Sequence, residues 1–475
     1  ELPLTSLQYG GCFCKDCMKG FRAYLQALPI EALPDALRGA DLASFHYGEW
    51  LRLQRDEIRG LDGDTPLFEQ YLRFQRQAVA RYFGELADYV HEYGASKGRE
   101  VAVSGNLFNL FDHFHAVESK VDLIITEMRN TRYRQPGWYR YVAGFAGPKP
   151  TVVVENPYGG VVPELVEKLN RGEGYNLFRL SLYEAAAMGV NMSVPYGAWL
   201  GSSAQDAFYA PHDLSVEIQQ FLANHQHLYS RETCNEVAVV YSVECNFLES
   251  ARMNFFADNR QGVPRGEALP FWQVCETLAD TAQPFDVVFF PDTRLRPDEL
   301  TLEDLRQYRT IVLPDCRSLT AAQYELIRDF LADGCCIVVI GDFGLNLPDA
   351  VRHGVLGHER TTLVRRVDGM SVEHLSSGPQ VRVVEPAALG VNLQRVAEGV
   401  AVHIVRYDFD ERQDRIPDLA TLTMELRLPG QWRVYGAYGT GGTIAASLST
   451  AGEMHRLELE NVPLYGIVSL REARI

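Results

Sequence analysis

Four short apolar runs set the strongest constraint on this 475-residue chain: VAVSGN (101–106), VDLIITE (121–127), PTVVVEN (150–156) and VNMSVPYG (190–197). Helical segments separate them, notably 162–170 and 175–188, and no hairpin turn joins one to the next. Strands that succeed one another through helices pair in parallel, because a parallel partner is reached only by a crossover. A long amphipathic helix precedes them over 67–94. There Leu67, Tyr71, Phe74, Val79, Tyr82, Phe83, Leu86 and Val90 recur at three- and four-residue steps, and Gly94 supplies a stop. Three of the runs reach a polar residue toward their far end: Asn106, Glu127 and Glu155. A (β/α)8 TIM barrel has this pattern, since its active site is built on the C-terminal ends of its strands. Only four such strands are visible. The expectation is therefore the C-terminal half of a barrel over 1–230, with the first four strands ahead of residue 1.

A second α/β unit is expected over 231–360. EVAVVYS (236–242), FDVVFF (285–290), TIVLPD (310–315) and CIVVIGD (336–342) read as strands, with helices at about 268–281 and 320–333. Their rhythm is that of a small flavodoxin-like doubly wound sheet. From 361 to 475 the texture changes. TTLVRRV, VRVVE, VAVHIVRYDF, TLTMELRL, WRVYGAYG and GTIAASLS alternate and are broken by Gly, Pro and Asp, which predicts a small all-β sandwich.

Composition narrows the partners. A net charge of -17 argues against nucleic acid or an anionic membrane surface, both of which select basic proteins. No run of about 18 apolar residues is present to span a bilayer. The opening ELPLTSLQYGG lacks the basic start and apolar middle of a signal peptide, and it lacks an initiator Met, so a natural N-terminus upstream is expected. Of the nine cysteines, Cys335 and Cys336 fall in an apolar run whose adjacent side chains face opposite ways, which suits free buried thiols. Such thiols point to a reducing compartment, hence a cytoplasmic location.

Glu155 is the most informative single residue. It closes a Val-rich run and is followed by Asn156-Pro157 and Tyr158-Gly159-Gly160, which stop the strand and open a loop. A carboxylate so placed can serve as nucleophile, base or metal ligand, or it can be a strand-end Glu paired with a nearby Lys or Arg. Glu127 has similar placement, with Arg129 as a structural ion-pair partner two residues on. Cys12, Cys14 and Cys17 form a Cys-x-Cys-x-x-Cys cluster on a short loop before the helix GFRAYL. They read as three ligands of a structural zinc site needing a fourth from elsewhere. A Cys14–Cys17 redox pair is the alternative, although the thioredoxin-like context is absent. His113 and His115 read as packing residues, and His225 and His227 as side chains on different helix faces. Cys316 follows a strand, but LPDCRSLT lacks the small flanking residues of a nucleophile elbow and no His-x-Glu partner follows.

Together these segments resemble a known family. CFCKDC before GFRAYL, then FHYGEWLRLQRDEI and LFEQYLRFQRQAVARYFGEL, look like the second half of the barrel of the glycoside hydrolase family 42 β-galactosidases. VAVVYS, LPFWQVCETLADTAQPFDVVF and YRTIVLPDCRSLTAAQYELIRDFLADG are similar to that family's amidotransferase-like trimerisation domain. The resemblance covers roughly residues 1–370. It implies a retaining two-Glu mechanism on a β-linked sugar, with Glu155 at the end of strand seven as nucleophile and Glu1 at the end of strand four as acid/base. It also implies a homotrimer, a structural zinc at the cysteine cluster with a further cysteine from earlier in the barrel, and no catalytic cofactor. Asn106, Glu127, Tyr158 and Trp199 are the candidate sugar-binding residues. This chain departs from the family in two places. The loop ENPYGGVVPE carries no Trp after the nucleophile, and VPYGAWLGSSAQDAF offers Trp199 and Asp206 where the family has a Glu and a His. Another β-linked sugar such as mannose, or a non-catalytic carbohydrate-binding relative, therefore stands beside β-galactosidase.

Overall fold

The computed structural model describes residues 12–54, 65–107, 110, 112–127, 134–154, 161–193, 196–197, 208–209, 211–252, 270–294, 296–376, 378–385 and 387–473. Glu1, Glu155, Tyr158 and Trp199 lie outside them.

In the first region β1 (Ile124–Glu127), β2 (Thr151–Val154) and β3 (Asn191–Met192) form a parallel sheet in chain order. Crossover helices Pro136–Ala146, Val161–Asn170 and Tyr175–Ala187 join them. VAVSGN was expected as a full strand and enters only as a bridge from Asn106 to Ile125. Side chains take over its ladder: the Val103 amide donates to the Asp122 carboxylate at 2.6 Å, and Ser104 Oγ donates to the Leu123 carbonyl at 2.8 Å. VNMSVPYG also splits. Asn191–Met192 joins β2 in parallel, while Tyr196–Gly197 (β4) pairs antiparallel with Phe208–Tyr209 (β5). The long helix runs Phe68–Ser96, as its periodicity predicts, and buries Phe68, Tyr71, Leu72 and Phe74 against an aromatic cluster with Phe21 and Tyr47.

The second sheet holds β6 (Val237–Ser242), β7 (Asp286–Phe290), β8 (Thr310–Pro314), β9 (Cys336–Ile340) and β10 (Thr361–Val364), all parallel, in the order β10-β9-β8-β6-β7. Numbered along the chain this is 2-1-3-4-5, the flavodoxin-like order. The fifth strand corrects the expected boundary at 360/361. TTLV reads with the later β segments, yet it pairs with β9 from Thr361↔Ile337 to Val364↔Ile340. Period alone does not tell an edge strand of a parallel sheet from a sandwich strand.

Helix Pro136–Ala146 is buried on nearly every side because it sits between the two sheets. A Cβ on Gly144 would stand 2.1 Å from the Val287 carbonyl oxygen of β7, and one on Gly137 would stand 2.9 Å from Cys275 Cβ. Gly144 lets this helix close on β7, covering the free side of an edge strand, and Gly137 one heptad earlier lets it close on helix Pro270–Asp280. Arg140 on the same helix donates to Asp286 at 2.5 Å and to the Met188 carbonyl at 2.7 Å. Asp286 also accepts from Asn235 (2.7 Å) and the Tyr308 hydroxyl (2.9 Å), so the buried charge is fully engaged.

The C-terminal region is an antiparallel sandwich, as predicted. One sheet is β11 (Val381–Val383), β14 (Thr421–Arg427), β17 (Met454–Glu460) and β16 (Ala445–Ala451). The other is β12 (Leu389–Val396), β13 (Gly399–Arg406), β18 (Tyr465–Glu472) and β15 (Trp432–Gly439). Leu393, Val402, Met424, Leu457 and Val468 fill the space between them. The sandwich also caps a helix of the first region. Asn392 Nδ2 and Gln394 Nε2 on β12 donate to the Ala187 carbonyl at 2.8 and 2.9 Å, satisfying the end of helix Tyr175–Ala187.

Candidate functional site

The parallel sheet brings together two of the sequence-predicted site residues. Asn106 Nδ2 donates to Glu127 Oε1 at 2.6 Å, between the bridge residue beside β1 and the C-terminal end of β1. The backbone fixes this meeting: the Leu107 amide donates to the Ile125 carbonyl at 2.9 Å, and Thr126 Oγ1 donates to the Leu107 carbonyl at 2.8 Å. Glu127 is 7% exposed, and in the ladder it stands level with Val154, the residue immediately before Glu155 in the chain. The expected Glu127–Arg129 pair cannot be placed, since Arg129 lies outside the described residues. A buried carboxylate and an amide at strand ends can hold a polar ligand by both donating and accepting.

Cys12, Cys14 and Cys17 also converge, with their sulfurs all within 4.8 Å of one another. Three sulfurs on one tetrahedral zinc would lie about 3.8 Å apart, from a Zn–S bond near 2.3 Å. Cys14 is the N-cap of helix Lys15–Ala27, and its sulfur accepts from the Cys17 amide at 3.5 Å, so the turn itself aligns the pair. That amide holds the Cys14 thiol below its ordinary range, while burial first, then the two neighbouring sulfurs, push Cys17 up to about 12. Three thiols this close cannot all ionise without a compensating cation. The loop is anchored behind: the Tyr71 hydroxyl donates to the Cys12 carbonyl at 2.5 Å, and Phe13 stacks on Tyr71 at 5.7 Å. The donor set fits a soft d10 cation with three protein ligands in hand.

The remaining candidates behave as structural residues. His115 is buried, 3.1 Å from the Tyr141 hydroxyl and edge-on to Phe145. His113 lies in the same 3-10 segment, Asp112–Lys120. His225 Nδ1 lies 2.8 Å from the Phe221 carbonyl, at the end of helix His212–Asn224, and His227 is exposed in the next turn. Cys316 is fully buried, and burial pushes its thiol well above the ordinary range, the reverse of a reactive cysteine. All nine cysteines are free thiols.

Sequence reasoning missed Glu184. It accepts from the Tyr407 hydroxyl and the Gln135 amide, both at 2.7 Å, and from the Arg134 amide at 3.0 Å. It thereby ties the entry of helix Pro136–Ala146 to the sandwich. Complete burial pushes its carboxyl up to about 7 against these donors. The only sequence signal is a Glu inside the apolar face of LSLYEAAAM.

The fold is like that of glycoside hydrolase family 42. The chain superposes on the β-galactosidase from Bacillus circulans sp. alkalophilus with a TM-score of 0.61 at 14% identity, covering 95% of this chain and 78% of that one. For a GH42 β-galactosidase from G. stearothermophilus the TM-score is 0.59 at 12% identity, covering 98% and 77%. In sequence, the chain is 31% identical over 107 residues to an alpha-agarase from Thalassotalea agarivorans, a stretch that is 21% of this chain and only 7% of the agarase. No protein-family model matches the sequence. Among the described residues no helix is long and apolar enough to cross a membrane.

Proposed function

We propose that the chain is part of a retaining β-glycosidase acting on a terminal β-linked sugar of an oligosaccharide, β-galactosidase-like in reaction. The carrying observation is the Asn106–Glu127 pair at the C-terminal end of β1, where Glu127 stands level with Val154, in a chain with a family 42-like fold. On this reading β1, β2 and β3 are strands six, seven and eight of a (β/α)8 barrel. Glu155 attacks the anomeric carbon and Glu1 protonates the departing oxygen, then deprotonates the water that releases the sugar. Asn106 and Glu127 hold sugar hydroxyls, while Tyr158 and Trp199 line the mouth. The five-stranded unit is amidotransferase-like and assembles the chain as a trimer. A structural zinc sits on Cys12, Cys14 and Cys17; it braces the loop and takes no part in the chemistry.

Glu155→Gln is the test: hydrolysis of aryl β-glycosides by the full-length protein should vanish with the fold intact, and wild-type turnover in that variant would end the assignment. A second reading is an agar-type galactan as the substrate, supported by the alpha-agarase similarity and by the departures from the family at the sugar subsite. Reducing ends released from agarose, but not from aryl β-galactosides, would favour it.

A further inference from the structure

Helix His212–Asn224 presents two different faces. Leu214 and Ile218 are buried beneath it, while Asp213, Glu217, Gln220 and Asn224, at steps of four, three and four, project from the other side. They face an open cleft of about 430 Å³, closed opposite by the turn at Thr440–Gly441 of the sandwich. That volume is within the range of small-molecule sites. None of the residues lining the cleft belongs to the reaction described above.

The floor carries an unmet demand. Tyr183 lines the cleft, is 0% exposed, and its hydroxyl has no hydrogen-bond partner among the described residues. A buried hydroxyl without a partner is destabilising, so a ligand that supplies one is favoured. Its ring is held firmly, stacked on Tyr465 at 5.0 Å and edge-on to Phe221 at 5.6 Å. Phe221, half-buried, adds an apolar surface to the same cleft.

The electrostatics select among ligands. Glu217 is already gripped by the Arg179 fork, Nε to Oε1 at 2.9 Å and Nη2 to Oε2 at 2.7 Å. Its charge is largely answered, and its oxygens are held in place. What remains is the Asp213 carboxylate and a row of amide and hydroxyl groups beside an aromatic surface, acceptors and donors that suit a polyhydroxylated ring. A metal is a poor match, since among the described residues the only cluster of three ligands gathered within reach of one ion is that of the cysteines.

We infer that the cleft between helix His212–Asn224 and the Thr440–Gly441 turn is a second, non-catalytic saccharide-binding site. Gln220, Asn224 and the Tyr183 hydroxyl bond sugar hydroxyls there, and Phe221 packs on the ring's apolar face. The choice of probe rests on the glycosidase reading; the site itself does not.

Saturation-transfer NMR titration of the full chain with lactose and with a neutral agarose-derived tetrasaccharide tests it. Gln220→Ala with Asn224→Ala should raise Kd about tenfold for whichever probe binds, the loss of one or two neutral hydrogen bonds, with aryl β-glycoside hydrolysis unchanged. Tyr183→Phe should weaken binding while melting no lower than wild type, because it deletes an unpartnered hydroxyl. Binding untouched by all three changes, binding of neither probe, or preference for a cationic peptide would each overturn the inference. Cleft-dependent binding in a chain that hydrolyses nothing would sink the glycosidase reading and leave this site standing.

Discussion

Replacing Glu184 by Gln converts the tie between the first region and the sandwich into a measurable pH effect. An ordinary Glu titrates near 4.5, and burial lifts this one to about 7 in the folded chain. The sign follows from linkage. Between those values the unfolded chain has lost the proton and the folded chain still holds it, so raising the pH through this window favours unfolding. The contribution is complete below about 4.5 and is lost as the pH climbs through about 7, a span worth on the order of 3 kcal/mol. The two tyrosines facing this carboxyl do not titrate there, since burial pushes both Tyr139 and Tyr407 well up. Gln keeps the size and can still accept from Tyr407 and the Gln135 amide. Its nitrogen cannot accept from the Arg134 amide, which costs about 1–3 kcal/mol. Paired urea melts of wild type and Glu184→Gln at pH 5, 6, 7 and 8 supply the readout. The wild-type advantage should shrink by about 2–3 kcal/mol from the lowest pH to the highest. A gap of constant size across the series would show that Glu184 does not change its charge in this range, and the reasoning from burial would fail.

Three further outcomes are expected. Gly144→Ala should lower the melting midpoint sharply, by about 3 kcal/mol of overpacking, since the added methyl would meet a backbone carbonyl at 2.1 Å rather than a yielding side chain; an unchanged midpoint would mean the helix is not seated on β7. Elemental analysis of purified protein should find about one zinc per chain, falling to near none in Cys14→Ser. Asn106→Ala should lower kcat/KM on an aryl β-glycoside about tenfold to a hundredfold, by taking the 2.6 Å donor from Glu127; full activity in that variant would remove both residues from the sugar site.

The architecture was most legible where burial on both faces leaves little choice. VAVVYS, TIVLP and CIVVI form β6, β8 and β9 with boundaries within a residue or two of those read from the apolar runs, because central parallel strands are almost uniformly apolar and stop at a polar residue or turn. Legibility failed at edges and strand ends. TTLV sits at the rim of the parallel sheet with Leu363 exposed, so it lacks the apolar run that marks the central strands. VAVSGN reads as a strand, but Asp122 and Ser104 compete for its ladder through their side chains, and apolar periodicity does not register that competition.

The candidate site divides along the same physical line. Asn106 and Glu127 were found because each ends an apolar run, and parallel pairing then forces strand ends to one side of the sheet. The cysteine cluster was legible because its three thiols are neighbours in sequence, so the turn that brings the sulfurs together is itself written locally. Glu184 and Tyr183 were missed because their chemistry depends on partners more than two hundred residues away in the chain: Tyr407 for the one, and for the other the Thr440–Gly441 turn across the cleft. A helix read alone shows only that Tyr-Glu falls within an apolar stretch. What makes one residue a proton-sensitive tie and the other an unpartnered hydroxyl is the sandwich folding down on that helix, and only the tertiary packing carries that information.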